Sequence, residues 1–338
     1  MPYKFFFSVV VPTFSRTDEV IELLTSLKTQ ESDNFEVIIA DGSLDDSVGN
    51  VKPMFKEDLQ LIYLHEKGLG ISESRNWGVE NAKGDYIIFF DSDCVIPPHY
   101  FKYLDSYLTE NELDAFGGPD KAGENFSITQ KAISYAMTSF FTTGGIRGGK
   151  KHVGQYQPRS FNMGIKRKIF NDLSGFSGLK VSEDIDLSLR LYKAGCKVGL
   201  IENAYVFHKR RSTFYKFFRQ VSSFGSGRID LQKRHGHALK AVHLLPALFT
   251  LYILFGIIIS IFSNVSLILF VSSLVLYFLL VLIDSTIRNR NIITGILSIY
   301  SAFLMHIGYG SGMLKAIISR YIFKNQKETL KPEITKEA

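Results

Sequence analysis

The sequence predicts an α/β fold, a mostly parallel sheet with helices on both faces, followed by C-terminal transmembrane or interfacial helices. Three observations carry this. Apolar strand-like runs alternate with amphipathic stretches through the first hundred residues. Carboxylates recur at the ends of those runs, as at Asp41 and Asp91. Beyond residue 241 come three long uncharged stretches, Val242–Phe262, Val265–Ile283 and Ile292–Leu314. Each is near the ~20 residues that cross a bilayer.

The elements follow in order. SVVVPTF (8–14) is a buried strand ended by Pro12. Asp18–Thr29 carries Val20, Leu23, Leu24 and Leu27 at helical spacing. FEVIIADGS (35–43) is a second strand whose Asp41-Gly42-Ser43 starts a turn, and LQLIYLHE (59–66) is a third. Gly68-Leu69-Gly70 is a loop, Ile71–Ala82 a helix and DYIIFF (85–90) a fourth strand. Ligands of such sheets sit at the carboxyl ends of the strands, so Asp41 and Asp91 belong near one crevice. Past residue 100 the pattern is less regular. Gly144-Gly145 and Gly148-Gly149 flank Arg147, with Lys150-Lys151 following, a candidate lid or acceptor loop. EDIDLSLRLYKA (183–194) is a helix with Ile185, Leu189 and Tyr192 on one face, and KVGLIENAYVFH (197–208) a closing strand or pair.

The 338 residues allow one large or two modest domains. The boundaries fall at 1–210 (globular), 211–241 (basic and aromatic), 242–323 (two to three membrane helices) and 324–338 (a polar, disordered tail). The net charge of +6 is concentrated. Nine Lys or Arg residues lie between His208 and Lys240 against one acid, Asp230, with Phe214, Tyr215, Phe217 and Phe218 interleaved. Such a segment beside a membrane span suits anionic membrane lipids, and no nucleic acid partner is expected. The N-terminal apolar run is short, is broken by Pro12 and lacks a small-residue cleavage site. The globular part is therefore expected in the cytosol, against the inner membrane. Cys94 and Cys196 are read as reduced thiols. The positive-inside rule keeps 208–240, Arg288 and Arg290 cytosolic with two spans. The third stretch, with four glycines, His306 and Tyr309, is then expected to be interfacial or re-entrant.

The chemistry centres on Asp91-Ser92-Asp93, which follows a buried strand. Ionised carboxylates there need a counter-charge. Either strand alternation or a turn could converge them on a hard divalent cation, and Mg²⁺ commonly takes one or two carboxylates plus substrate phosphates. Glu183-Asp184 opens a helix, where acids also complement the dipole. His208 could equally be a partly buried strand-end histidine, and Arg75 a solvated helix residue.

The ordered set VVVPTFSR (9–16), ADGSLDDS (40–47), GISESRNWGVENAKGDYIIFFDSD (70–93), FNMGIKRKIF (161–170) and SEDIDLSLRL (182–191) resembles the family 2 glycosyltransferases with a GT-A, Rossmann-like fold. The resemblance covers roughly the first 210 residues and rests on the combination of motifs. It implies donor-binding roles for Pro12, Thr13, Asp41, Ser43, Arg75 and Asp91. It implies a divalent cation, Mn²⁺ or Mg²⁺, at Asp93, Asp91 and His208, and catalysis by Asp184 with Glu183, Asp184 being the base of an inverting transfer. Nucleotide-sugars are the implied donors, UDP-sugar ahead of GDP-sugar, with a glycan or lipid-linked acceptor.

The chain departs from the processive members of that family. Their Gln-x-x-Arg-Trp motif is absent, since Gln220 is followed by VSSFG and the single tryptophan is Trp77. A single-addition enzyme is expected, rather than a polymerising subunit or an inactive nucleotide-sugar-binding scaffold. No G-x-x-x-x-G-K-[ST] phosphate loop occurs.

Overall fold

The computed structural model describes residues 3–121, 126–144 and 155–323. The Gly145–Lys151 part of the expected lid loop and the polar tail from Lys324 lie outside the described residues. The chain forms two compact units, one from residues up to 121 with 156–209, the other from 126–144 with 210–323.

The first unit is built on a seven-stranded sheet. Its parallel half contains β1 (Phe7–Thr13), β2 (Phe35–Asp41), β3 (Leu61–His65) and β4 (Tyr86–Phe90). A small second sheet uses β5 (Cys94–Val95), β7 (Asp120–Lys121) and β10 (Val206–His208). The remaining strands are β6 (Ala115–Gly117), β8 (Asn162–Lys166) and β9 (Val198–Leu200), and the large sheet runs β3-β2-β1-β4-β8-β6-β9. β8 is antiparallel to both its neighbours.

Strand period sorts the core into two layers. Val9, Val11, Val37, Ile39, Ile88 and Phe90 pack on one face, beneath the helices Thr17–Lys28 and Tyr100–Glu110. Val10, Ile38, Ile87 and Phe89 pack on the other, with Val79 of the Ile71–Glu80 helix and Leu187 and Leu191 of the Glu183–Lys193 helix. Both faces are covered, so the parallel strands read as continuous apolar runs. The four predicted N-terminal strands and both predicted helices flanking them are present within two residues of their expected ends. The stretch 197–208 is a pair, but its two strands join different sheets. Ile201 is buried between them, and its N–H donates to Gly117 O at 2.9 Å, which turns the chain from one sheet to the other.

The second unit is helical. Its elements are Ile128–Thr138, Phe140–Thr143, Phe214–His235, Ala241–Ser260, Asn264–Asn289 and Ile292–Ile317. The helix Ile128–Thr138 thus falls outside the sheet unit, although the sequence puts it within an unbroken globular stretch to residue 210. The cause is its apolar face: Ile133, Ala136 and Met137 pack with Phe217, Val221 and Met305. Ser127 caps it with a reciprocal Ser-Gln capping box.

Three helices are long and apolar enough to cross a membrane, which makes the chain membrane-associated. The third is one continuous helix, without the break a re-entrant segment requires. Its most apolar window is 39% buried within the unit, against 11% and 6% for the other two. The glycines explain this. Gly308 and Gly312 lie under the carbonyls of Phe218 and Ser222, and Gly225 under the carbonyl of Tyr309, so the Phe214–His235 helix approaches to backbone contact. Arg320 and Asp230 pair across the same two segments, with Nη2 to Oδ2 at 3.0 Å.

Gly164 in β8 tests the packing of the sheet unit. A Cβ there would overlap the ring of Phe116, which is fully buried and has nowhere to move. Gly164→Ala is expected to cost about 1–3 kcal/mol by overpacking. Thermal unfolding of the purified variant, followed against the wild type, checks this as a lowered midpoint.

Candidate active site

The candidate site lies wholly in the first unit, at the carboxyl ends of β1, β2 and β4. Thr13 and Asp41 are register partners at the ends of β1 and β2. Asp41 is fully buried, and its carboxylate is saturated from one side. Oδ1 accepts from the Ser43 N–H at 3.0 Å and from the Ser43 hydroxyl; Oδ2 accepts from the Tyr63 hydroxyl at 2.8 Å. That hydroxyl is shared with Asp46, 2.7 Å away, and burial with these two acids pushes the Tyr63 pKa well up. Ser43 in turn accepts from the Ser15 N–H, tying the β1 and β2 loops together. The Thr13 hydroxyl is buried with no partner among the described residues, a polar atom suited to a ligand. Pro12 adjoins it within β1. Gly42 lets the β2 turn pass under the Leu69 carbonyl, where a Cβ would clash.

Arg75 projects from the Ile71–Glu80 helix and is 1% exposed. Its Nη2 donates to Asp91 Oδ1 at 2.8 Å and its Nη1 to Glu183 Oε1 at 2.7 Å, while the Phe176 ring lies 5.2 Å from the guanidinium carbon. Burial alone would lower the Arg75 pKa, but Asp91 and Glu183 outweigh it and the net shift is upward. The solvated-helix alternative for Arg75 is therefore excluded. Burial raises the Glu183 pKa; Arg75 opposes this and the neighbouring Asp184 adds to it.

Asp91, Ser92 and Asp93 form a turn closed by Cys94 N–H to Asp91 O at 3.1 Å. The two acids face different partners. Asp91 belongs to Arg75, whereas Asp93 Oδ1 lies 3.0 Å from His208 Nε2 and Asp93 Oδ2 3.6 Å from Arg16 Nη1. The antiparallel β5–β10 pairing, with Cys94 opposite His208, brings the histidine there. Phe161 stacks on its ring at 4.7 Å.

Asp93, Cys94 and His208 each offer an atom within 4.8 Å of the others, enough to hold a metal ion. A carboxylate oxygen and an imidazole nitrogen suit Mn²⁺ or Mg²⁺ with a diphosphate completing the shell. The Cys94 thiol fits less well: burial pushes its pKa well up, and it donates to Phe161 O at 3.6 Å. The fit therefore rests on Asp93 and His208. Asp91, in the same turn, is taken by Arg75.

Glu183 and Asp184 start the Glu183–Lys193 helix and diverge from each other. Glu183 meets Arg75. Asp184 is 5% exposed and forms an ion pair with Arg159, Oδ2 to Nε at 2.8 Å. Its Oδ1 also accepts from the Ile185 N–H at 2.8 Å. Arg75 thereby joins the β4 end to the residue preceding Asp184. Sequence reasoning missed Arg159, Tyr63, Arg16 and Cys94 as site residues. Of these, only Arg16 carried a signal, since it ends the VVVPTFSR motif.

Comparison with known proteins agrees with this architecture. Residues 8–174 match the family described as glycosyl transferase family 2. An uncharacterized glycosyltransferase of Haemophilus influenzae is 32% identical over 189 residues, 54% of this chain and 61% of that one. A dolichyl N-acetyl-α-D-glucosaminyl phosphate 3-β-D-2,3-diacetamido-2,3-dideoxy-β-D-glucuronosyltransferase of Methanococcus voltae is 26% identical, over 93% of this chain and 97% of that one. Some relatives are far longer: the chain spans 18% of a Rickettsia felis glycosyltransferase to which it is 37% identical over 106 residues. Among solved structures, a mannosyltransferase of Pyrobaculum calidifontis, in complex with GDP-mannose and Mn²⁺, shares the fold. Its TM-score is 0.58 at 14% identity, covering 94% of this chain and 88% of that one. The ordered motifs and the mostly parallel sheet agree with the match of residues 8–174 to glycosyl transferase family 2, on a GT-A fold.

Proposed function

We propose that the chain is an inverting, metal-dependent glycosyltransferase. It moves a sugar from a nucleotide-sugar, UDP-sugar ahead of GDP-sugar, to a hydroxyl of a glycan or lipid-linked acceptor at the cytoplasmic face of the inner membrane. The observation that carries this reading is the buried Arg75 bridge between Asp91 and Glu183, which links the nucleotide end of the sheet to the residue before Asp184.

Asp41, held by Ser43 and Tyr63, accepts an N–H of the nucleobase, and the orphaned Thr13 hydroxyl completes that pocket beside Pro12. Asp91, fixed by Arg75, meets the ribose. Asp93 and His208 hold a divalent cation, which supplies positive charge for the leaving diphosphate. Asp184 takes the proton from the acceptor hydroxyl as that oxygen attacks the anomeric carbon from the face opposite the diphosphate. Glu183 does not touch the reacting atoms in this scheme. It anchors the start of the helix on Arg75, so Asp184 is aimed by a buried ion pair rather than by a mobile loop. The M. voltae relative, whose name gives a lipid-linked phosphate acceptor, supports the lipid-linked alternative. So do the three apolar helices and the exposed basic and aromatic residues of the Phe214–His235 helix, among them Tyr215, Lys216, Arg219, Lys233 and Arg234.

Two outcomes are expected. Asp184→Asn, isosteric but without a basic carboxylate, lowers transfer by roughly 10²–10⁴-fold. Nucleotide-sugar binding, read by calorimetry, stays near wild type. A release assay over a panel of UDP- and GDP-sugars shows turnover of one donor with Mn²⁺ or Mg²⁺, lost with EDTA and lost in Asp93→Ala at any metal concentration. Undiminished turnover of that donor in EDTA would remove the metal from the scheme.

A further inference from the structure

Resting on the glycosyl-transfer reading, we propose that Arg159 recognises an anionic group, a phosphate or a carboxylate, on the acceptor beside the hydroxyl that is glycosylated. The starting point is the ion pair between Arg159 and Asp184. The pair places a part-exposed guanidinium directly against the proposed base.

A purely structural role does not account for Arg159. Its segment is already fastened to the Glu183–Lys193 helix without it. The Tyr192 hydroxyl donates to Tyr156 O at 2.6 Å, the Ser188 hydroxyl to Pro158 O at 3.3 Å and the Ser160 N–H to Asp184 Oδ2 at 3.4 Å. The guanidinium is also used differently from its neighbours. Arg75 spends both terminal nitrogens on carboxylates and is buried. Arg190 spends all three of its nitrogens, on Asp186, Leu173 O and Gly175 O. Arg159 approaches Asp184 most closely through Nε, its side chain is 25% exposed, and its two terminal nitrogens make no hydrogen bond among the described residues.

Two open N–H₂ groups in one plane form the fork that binds phosphate or carboxylate bidentately. The fork stands one guanidinium away from the proposed base, so whatever it binds must be carried by the molecule whose hydroxyl Asp184 deprotonates.

The test uses the full-length protein in detergent, with the donor identified by the release assay. Three acceptors are compared: a neutral oligosaccharide, the same sugar on a short-chain polyprenyl phosphate, and a uronate-terminated oligosaccharide. Wild type is expected to favour at least one anionic acceptor over the neutral one by roughly tenfold to a hundredfold in kcat/KM, mostly through KM. Which of the two is favoured identifies the source of the anion. Arg159→Gln is expected to lose that preference, and Arg159→Lys to keep part of it, having the charge without the fork. An equal preference in Arg159→Gln, or none in wild type, overturns the proposal. A second measurement is independent of turnover. Inorganic phosphate is titrated calorimetrically into protein saturated with nucleoside diphosphate and Mn²⁺. Binding by wild type and not by Arg159→Gln supports the assignment. Binding retained in Arg159→Gln, or seen only when nucleotide is absent, overturns it. If no acceptor turns over, the glycosyl-transfer reading fails by itself, and the phosphate titration still decides whether Arg159 is an anion site.

Discussion

A buried guanidinium organises this site. Arg75 is removed from water in the interior of an α/β domain, at a desolvation cost of several kcal/mol before compensation. It is tolerated because two carboxylates from distant parts of the chain converge on it, Asp91 from the end of β4 and Glu183 from the start of a helix almost a hundred residues later. Removing either acid takes away one of the two partners of a buried cation, and removing the cation leaves Glu183 buried without one. With the apolar packing of Ile185 and Leu187, that requirement fixes the first turn of the Glu183–Lys193 helix against the sheet end. Pairs of this kind contribute little net stability but penalise alternative arrangements. In this protein the arrangement they select sets Asp184 in the first turn of that helix, beside Arg159.

The same logic answers why a buried strand should end in two acids one residue apart. From the sequence, a metal ion is the obvious counter-charge. The structure shows that the protein supplies cationic partners of its own: Arg75 for Asp91, and Arg16 beside Asp93 with His208 on its other oxygen. The turn at Ser92 keeps the two acids from sharing a partner. A cation binding at Asp93 and His208 therefore enters a site that is already folded, and exchanges with weaker contacts such as the 3.6 Å approach of Arg16.

Much of the fold was legible because it rests on local periodicity. Unbroken apolar runs over Val9–Val11, Val37–Ile39 and Ile87–Phe90 mark strands buried on both faces, and Val20, Leu23, Leu24 and Leu27 mark one face of a helix. The strands of the second sheet span two or three residues each, too short to show a period. The helix Ile128–Thr138 has an apolar face as clear as any other, but periodicity does not say which core it joins. The site divides in the same way. Asp41, Arg75, Asp91, Asp93, Glu183 and Asp184 lie within ordered motifs. Tyr63 reaches Asp41 only because β3 pairs in register with β2, Asp41 opposite His65. Arg159 reaches Asp184 only through folding of a segment with no regular structure of its own. Contacts that depend on register or on an irregular segment leave no trace in spacing.

The charge inventory of the site completes the argument. Asp91 and Glu183 share Arg75, Asp184 faces Arg159, and Arg16 stands between Glu19 at 2.8 Å and Asp93 at 3.6 Å, so the carboxylates outnumber the guanidinium groups. A nucleotide-sugar brings two further negative charges on its diphosphate. In a partly buried site such like charges repel strongly, because little water remains to screen them. On the proposed reading, a divalent ion held by Asp93 and His208 would supply the opposing charge, carrying two charges in the volume of one ligand atom.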